Sequence, residues 1–291
     1  MNIIKYKKIF LGISLILVLT AASVVGVKGL DYGIEFTGGS VMEVSYASEK
    51  PAVETLRAEV ATTNIDAQIQ PFGEMGYIIK TGFLTENERI TLSDIATQNS
   101  GTVERFNSIG PSVGKELRTK SLYALILVSL GIVLFVAYAF RHVSEPVSSW
   151  RYGVVAVIAL LHDLIIPVGI LTLLGTEIDT LYVVGLLSIL GLSVNDTIVV
   201  FDRIRDGIAE KTSKTVDFDT TVGHAVNDTI ARSVFTSLTL VVVLLALYFA
   251  GPVATRTLSL VLLLGTIVGT YSSIFLASPL LTYMVSKKEN K

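Results

Sequence analysis

Leu181–Phe201, LYVVGLLSILGLSVNDTIVVF, decides how the chain is to be read. As a helix rising 1.5 Å per residue, it is long enough to cross a hydrocarbon core of about 30 Å. It is apolar almost throughout, yet it carries one acidic residue, Asp196, beside Asn195. A carboxylate at the centre of a membrane helix costs roughly 2.5–3.5 kcal/mol on insertion scales, so such a group is kept where it faces a partner, a cavity or an ion path. Asp196 falls about 7–8 Å short of the charged end of its run. Ser193 lies one turn back and Val200 one turn on, so this face becomes polar towards that end. The plain alternative is a carboxylate that hydrogen-bonds a neighbouring helix and does nothing more.

Working outward, five more runs match the roughly 20 residues a membrane helix needs: Ile9–Val27, Leu122–Phe140, Tyr152–Leu174, Ser233–Thr255 and Thr257–Ser286. Gly251-Pro252 and Arg256 form the turn between the last two. The composition agrees: 51% of the 291 residues are apolar and 16% charged, against about 25% charged in soluble domains. The first run follows Lys5, Lys7 and Lys8 in the manner of a signal peptide, but it lacks a small-residue cleavage site and precedes five other spans. It reads as a retained anchor. A net charge of −2 gives no bulk attraction to nucleic acid. With no cysteine, disulfides, thiolate metal sites and a cysteine nucleophile are excluded. Gly110–Lys115 (GPSVGK) lacks the spacing of a nucleotide-binding loop, which disfavours an ATP-driven motor. No cofactor or metal is expected.

Lys and Arg placement sets the orientation. Lys5, Lys7 and Lys8, Arg141 and Arg151, then Arg203, Arg205, Lys211 and Lys214, and finally Lys287, Lys288 and Lys291 lie on one side. The opposite connections carry none (Gly175–Thr180) or only Arg256. The expected organisation is a cytoplasmic N-terminus and first helix (1–29), an extracytoplasmic domain (30–115), helices 2–6 (116–286) and a cytoplasmic tail (287–291), in a cell membrane.

Within 30–115, Ser40–Ala47 alternates like a half-buried strand. AVETLRAEVATT after Pro51 reads as a helix with the proline in its first turn. Ala67–Phe72 and Tyr77–Thr81 read as strands around a Gly73–Gly76 turn, Thr85–Gln98 as a helix and Thr102–Ser108 as a strand. The order βαββαβ predicts a small α+β ferredoxin-like sandwich. Between the fourth and fifth spans, near 215–230, Phe218, Val222, Ala225, Val226 and Ile230 recur at helical spacing. They mark either an amphipathic surface helix or one packed under the bundle.

Three other constellations stand out. Arg232 opens the fifth span at a depth similar to Asp196 and is its natural ionic partner, although a helix-end arginine commonly snorkels to the interface. His162-Asp163 lies mid-span in the third helix. Neighbours about 100° apart predict that the two side chains face different sites, and proton relay and structural contact remain equally open for them. No second His or Cys stands at ligand spacing. Gly265, Gly269, Ser273 and Ala277 form a small-xxx-small stripe on the last span, suited to close helix packing against another helix or a partner subunit.

Five stretches together resemble one family. Asp31–Ser40 (DYGIEFTGGS), Ile109–Leu117 (IGPSVGKEL), Leu161–Asp163 (LHD), Ser193–Arg205 (SVNDTIVVFDRIR) and Ala231–Ser237 (ARSVFTS) are similar, in order, to segments of SecF, the membrane subunit that works with SecD beside the Sec preprotein translocase. The resemblance implies a six-helix half of a resistance-nodulation-division-like bundle, with a SecD chain supplying the other half. It further implies use of the proton motive force to promote preprotein translocation through SecYEG after SecA acts. By matching position, Asp196 is the proton-responsive carboxylate and Arg232 its basic partner; His162, Asp163 and Asn195 match motif positions without a defined role. Sodium stays open as the coupling ion. A proton-coupled small-molecule or ion antiporter half-unit and a passive translocase assembly factor are the competing readings.

Overall fold

The computed structural model describes residues 3–47, 50–141, 147–209 and 217–284. Lys211, Lys214, residues 215–216 and the expected tail 287–291 lie outside them. The chain divides into two compact units, Tyr32–Leu122 and the remainder, with the boundary falling inside one long helix.

The smaller unit begins with a one-turn helix, α2 (Ile34–Thr37), preceded in the chain by α1 (Lys7–Lys28) of the other unit. Then follow β1 (Gly39–Tyr46), α3 (Val53–Ala61), β2 (Ala67–Phe72), β3 (Gly76–Thr81), α4 (Glu86–Thr97) and β4 (Gly101–Ile109). The strands pair antiparallel in the order β2-β3-β1-β4, the ferredoxin-like arrangement that the βαββαβ order predicts. Alternation along the strands sends Met42, Val44, Tyr46, Ile69, Tyr77 and Ile79 inward, where α3 and α4 cover them with Leu56, Val60, Leu92 and Ala96. At the start of α4, Thr85 and Glu88 form a reciprocal capping box, and the hydrogen bonds from Thr85 hold the Glu88 carboxyl below its usual range. Pro51 is not in the first turn of α3. Ala52 is the N-cap, and the Pro51 carbonyl instead accepts the Tyr77 hydroxyl at 2.6 Å.

The glycine pair before β1 has a steric cause. Gly38 takes φ +78° and Gly39 φ +145°, and a Cβ on Gly38 would stand 2.6 Å from the Cα of Pro111. A Cβ on Gly114 would stand 2.7 Å from the Gly38 nitrogen. The α2–β1 turn therefore rests backbone on backbone against the first turn of α5 (Pro111–Ala139).

The larger unit contains α1, the later part of α5, α6 (Ser149–Leu173), α7 (Thr180–Ala209), α8 (Phe218–Ala250), α9 (Arg256–Ser272) and α10 (Ser278–Tyr283). Among the described residues six helices are long and apolar enough to cross a membrane: Ile3–Lys28, Pro111–Ala139, Trp150–Leu173, Thr180–Ala209, Phe218–Ala250 and Val253–Tyr283. The most apolar windows of the third, fourth and sixth are 56%, 44% and 50% buried, against 11%, 6% and 11% for the first, second and fifth. The bundle is thus centred on α6, α7 and α9, while α1, α5 and α8 turn side chains such as Ile16, Phe135 and Phe249 outward.

Several boundaries differ from the sequence reading: α5 begins at Pro111, eleven residues before the expected Leu122, and three others follow. The stretch Phe218–Ile230 is not a separate surface helix but the first part of α8, with Val222, Ala225 and Val226 buried in the core. α7 runs past Phe201 to Ala209, because its charges pair: Arg205 with Asp202 one turn back, and Arg203 with Asp228 of α8 at 2.8 Å. The last span is interrupted by a π-helical turn, Ser273–Ala277. Pro279, just beyond it, has no N–H to give the helix ladder, and Ser278 Oγ donates to the Ser273 carbonyl at 2.9 Å.

Gly114→Ala should lower the opening free energy of β1 by about 1–3 kcal/mol, the usual penalty of forcing a methyl into a packed contact. Faster amide exchange along β1, with α7 unchanged, is the expected result; unaltered exchange would show that the joint relaxes freely.

Candidate functional site

Asp196 is half-buried on α7 and opens into a cavity of about 370 Å³ between α7, α8 and α9. Asn195, Thr236, Ser237, Thr266 and Thr270 give the wall its polar groups, and Leu192, Leu240 and Val243 the apolar remainder. A cavity of this size, mainly apolar with hydroxyls on its wall, has room for several waters. Ser237 Oγ on α8 lies 3.5 Å from Asp196 Oδ2 as a hydroxyl donor. Thr270 Oγ1 on α9 stands 2.5 Å from Ser237 Oγ and 2.8 Å from the Thr266 carbonyl. Hydroxyls from two neighbouring helices thus lead up to the acid.

Arg232 does not form the expected ion pair. Among the described residues no salt bridge joins it to Asp196, and Arg232 is exposed. The cause is both depth and azimuth. The α8 residue opposite Asp196 is Ser237, and five residues separate it from Arg232, about 7.5 Å along the axis and about 140° around it. Asn195 is exposed beside Asp196 on the cavity rim.

His162 and Asp163, expected to face different sites, meet instead. His162 Nδ1 lies 2.8 Å from Asp163 Oδ1, and both side chains are buried, at 3% and 0% exposure. A 100° step at the backbone leaves adjacent side chains close enough for rotamer choice to bring their tips together. Asp163 Oδ2 also accepts the hydroxyls of Ser193 on α7 and of Ser272 on α9, the latter at 2.7 Å. The carboxyl of α6 thereby ties α7 to α9. His162 stacks on Tyr271, with ring centres 6.0 Å apart, and Tyr271 in turn donates to the Phe10 carbonyl of α1 at 3.2 Å. His162 Nε2 is buried and meets no hydrogen-bond partner among the described residues.

The small-residue stripe packs inside this chain rather than against another subunit. A Cβ on Gly265 would stand 2.1 Å from Ile189 of α7, and one on Gly269 3.2 Å from Ser193. Ser273 and Ala277, the other two members, are buried within the π-helical turn. Ser237, Thr270 and Ser272 were not singled out in the sequence, although hydroxyl residues clustered in membrane-length runs were the available signal. Among the described residues no three His, Asp or Glu side chains gather as a metal site.

The chain's sequence and fold both have relatives. The C-terminal model of the SecD/SecF protein export membrane proteins matches residues 91–287, and the SecD/SecF GG motif matches residues 24–49. The protein translocase subunit SecF of Thermobaculum terrenum is 38% identical over 98% of this chain and 94% of its own length. This chain belongs to the SecF family. SecF of Helicobacter pylori is 34% identical over 95% of the chain and 85% of its own length. The crystal structure of SecDF from Thermus thermophilus, a translocon-associated membrane protein, superposes with a TM-score of 0.84 at 34% identity over 97% of this chain. The chain spans 38% of the length of that SecDF chain. In SecF terms, Asp163, Asp196, Arg232 and the glycine stripe all lie within the C-terminal match, and Gly38 and Gly39 lie within the GG motif.

Gly265→Ala should destabilise the bundle by about 1–3 kcal/mol, because the new methyl overlaps Ile189. Thermal unfolding in detergent should show the loss, and adding Ile189→Ala should return part of it. A double variant no more stable than Gly265→Ala would place the strain elsewhere.

Proposed function

We propose that this chain is a protein-export accessory subunit that works with a SecD partner and uses the proton motive force to promote preprotein movement through SecYEG after SecA has acted. It is a transport subunit rather than an enzyme. The family membership supports the export role and favours neither the antiporter nor the passive assembly factor. The Lys and Arg bias supports cytoplasmic termini and an extracytoplasmic domain of residues 30–115.

One observation carries the coupling: Asp196, in a membrane-length helix, opens into a cavity with hydroxyls on its wall and, among the described residues, has a hydroxyl donor but no salt bridge. A carboxyl so placed is free to bind and release a proton. Arg232, on the next helix and unpaired with Asp196 in this conformation, supplies the charge that can approach once Asp196 is ionised. The cavity rim carries exposed polar groups, Asn195, Thr236 and Thr239, at membrane depth. Such groups call for cover by protein, and the SecD chain is the proposed cover. One proton crossing 100 mV releases about 2.3 kcal/mol, enough to shift a two-state equilibrium by roughly fifty-fold.

The test is preprotein translocation into inverted vesicles containing this chain and SecD, with SecA arrested midway and either a proton or a sodium gradient imposed. The proton gradient should stimulate completion, and Asp196→Asn should abolish that stimulated part while leaving the SecA-driven part. Stimulation by sodium alone would replace the ion. Stimulation that survives Asp196→Asn would remove Asp196 from the coupling.

A further inference from the structure

The carboxyl of Asp163 is surrounded by a hydrogen-bond set that fits two protonation states. Ionised, it accepts His162 Nδ1 at Oδ1 and the hydroxyls of Ser193 and Ser272 at Oδ2. A serine hydroxyl has one hydrogen and two lone pairs. Ser272 Oγ also lies 3.0 Å from the Gly269 carbonyl, a second acceptor for its hydrogen. With that hydrogen turned to Gly269, Ser272 presents a lone pair to Asp163 and accepts from a protonated Oδ2. The acid therefore has partners both with and without its proton.

The other partner of Oδ2 leads to the cavity. Ser193 stands one helical turn before Asp196 and forms part of the same wall. The titratable groups around Asp163 are few. His162 comes from its own helix, and Tyr271 of α9 is stacked on His162. α7 and α9 present the hydroxyls of Ser193 and Ser272 to the carboxyl, and α1 reaches the group through Ser14 Oγ and the Phe10 carbonyl on the Tyr271 hydroxyl. Among the described residues no Lys or Arg forms an ion pair with Asp163.

We propose that Asp163 is a second proton-binding carboxyl, loaded from the Asp196 cavity through the Ser193 hydroxyl and held in its protonated form by Ser272. The proposal rests on the reading of the cavity as the proton-bearing site. In the loading step a hydronium or carboxylic acid in the cavity gives its proton to Ser193 Oγ. The original Ser193 O–H bond breaks as its proton bonds to Asp163 Oδ2. Ser193 ends neutral, Asp163 ends neutral, and Ser272 turns its hydrogen to Gly269. The two serines are then no longer both drawn to one anion, and the α7–α9 seam at Ser193 and Gly269 loosens. Ser272 and His162 act here as positioning residues.

Infrared difference spectroscopy of the intact chain in lipid, acid minus neutral, reads this directly. Two carboxylic C=O bands should appear, one lost in Asp163→Asn and the other in Asp196→Asn. Ser193→Ala should slow the hydrogen–deuterium shift of the Asp163 band by about tenfold or more, with Ser193→Thr restoring it, and leave the Asp196 band unchanged. Ser272→Ala should move the Asp163 band to higher wavenumber, the mark of a lost acceptor. That shift also assigns the band should Asp163→Asn fail to fold. An Asp196 band without an Asp163 band at any pH where the chain stays folded overturns the proposal and leaves the cavity reading standing. Absence of both bands overturns both. Exchange equally fast in Ser193→Ala removes the Ser193 route.

Discussion

A carboxyl with no exposure to solvent and, among the described residues, no Lys or Arg paired with it must be supplied with hydrogens, and the bundle is arranged around that requirement. Asp163 accepts from its neighbour His162, from Ser193 on α7 and from Ser272 on α9. Removing a buried acceptor that serves several donors leaves each of them unpaired, at about 1–3 kcal/mol apiece. Three helices are fixed relative to one another by one side chain. Apolar packing alone cannot do this in hydrocarbon, since lipid tails are as apolar as the helix surfaces they replace.

The glycines make those hydrogen bonds reachable. Gly265 lets α9 close on Ile189, Gly185 lets α7 close on Val261, and Gly169 lets α6 close on Ala21 of α1. Each is a place where a Cβ would overlap the neighbouring helix. Hydroxyls are short donors, and only a small separation between axes allows a serine on one helix to reach an acid on another. Small residues and polar contacts therefore belong to one design: the first sets the distance that the second requires.

The fold was legible because its signals are one-dimensional. Run lengths gave the six spans, and period-2 alternation with turn glycines gave the ferredoxin-like order. The site was legible only in part. An acid such as Asp196 in an apolar run announces itself by cost, without reference to any partner. The partner depends on the axial offset and rotation of the neighbouring helix, which the sequence carries only weakly, so Arg232 was expected at the depth that Ser237 occupies. The same gap separated His162 from Asp163, whose meeting depends on rotamers rather than on the 100° step. Pro279 stands in the sequence as a residue with no N–H for the carbonyl four places back, but the π-helical turn before it is a matter of local backbone geometry that no run length or period announces.

The two intramembrane acids differ in a way that assigns them different physical tasks. Asp163 is enclosed, and its donors come from this chain; its hydrogen bonds hold α6, α7 and α9 together. Asp196 is half-exposed to the cavity, and its side-chain donor among the described residues, Ser237, stands at 3.5 Å, long for a hydroxyl bond. An enclosed, well-bonded acid changes charge only as its donors rearrange, whereas a loosely bonded acid on a cavity changes charge with less rearrangement. Ser193 links them, one turn from Asp196 along α7 and bonded to Asp163 across the helix seam. Under the proposed coupling, a change of charge at Asp196 acts on the same helix that Asp163 holds, one turn from the Ser193 bond that joins α7 to the rest of the bundle.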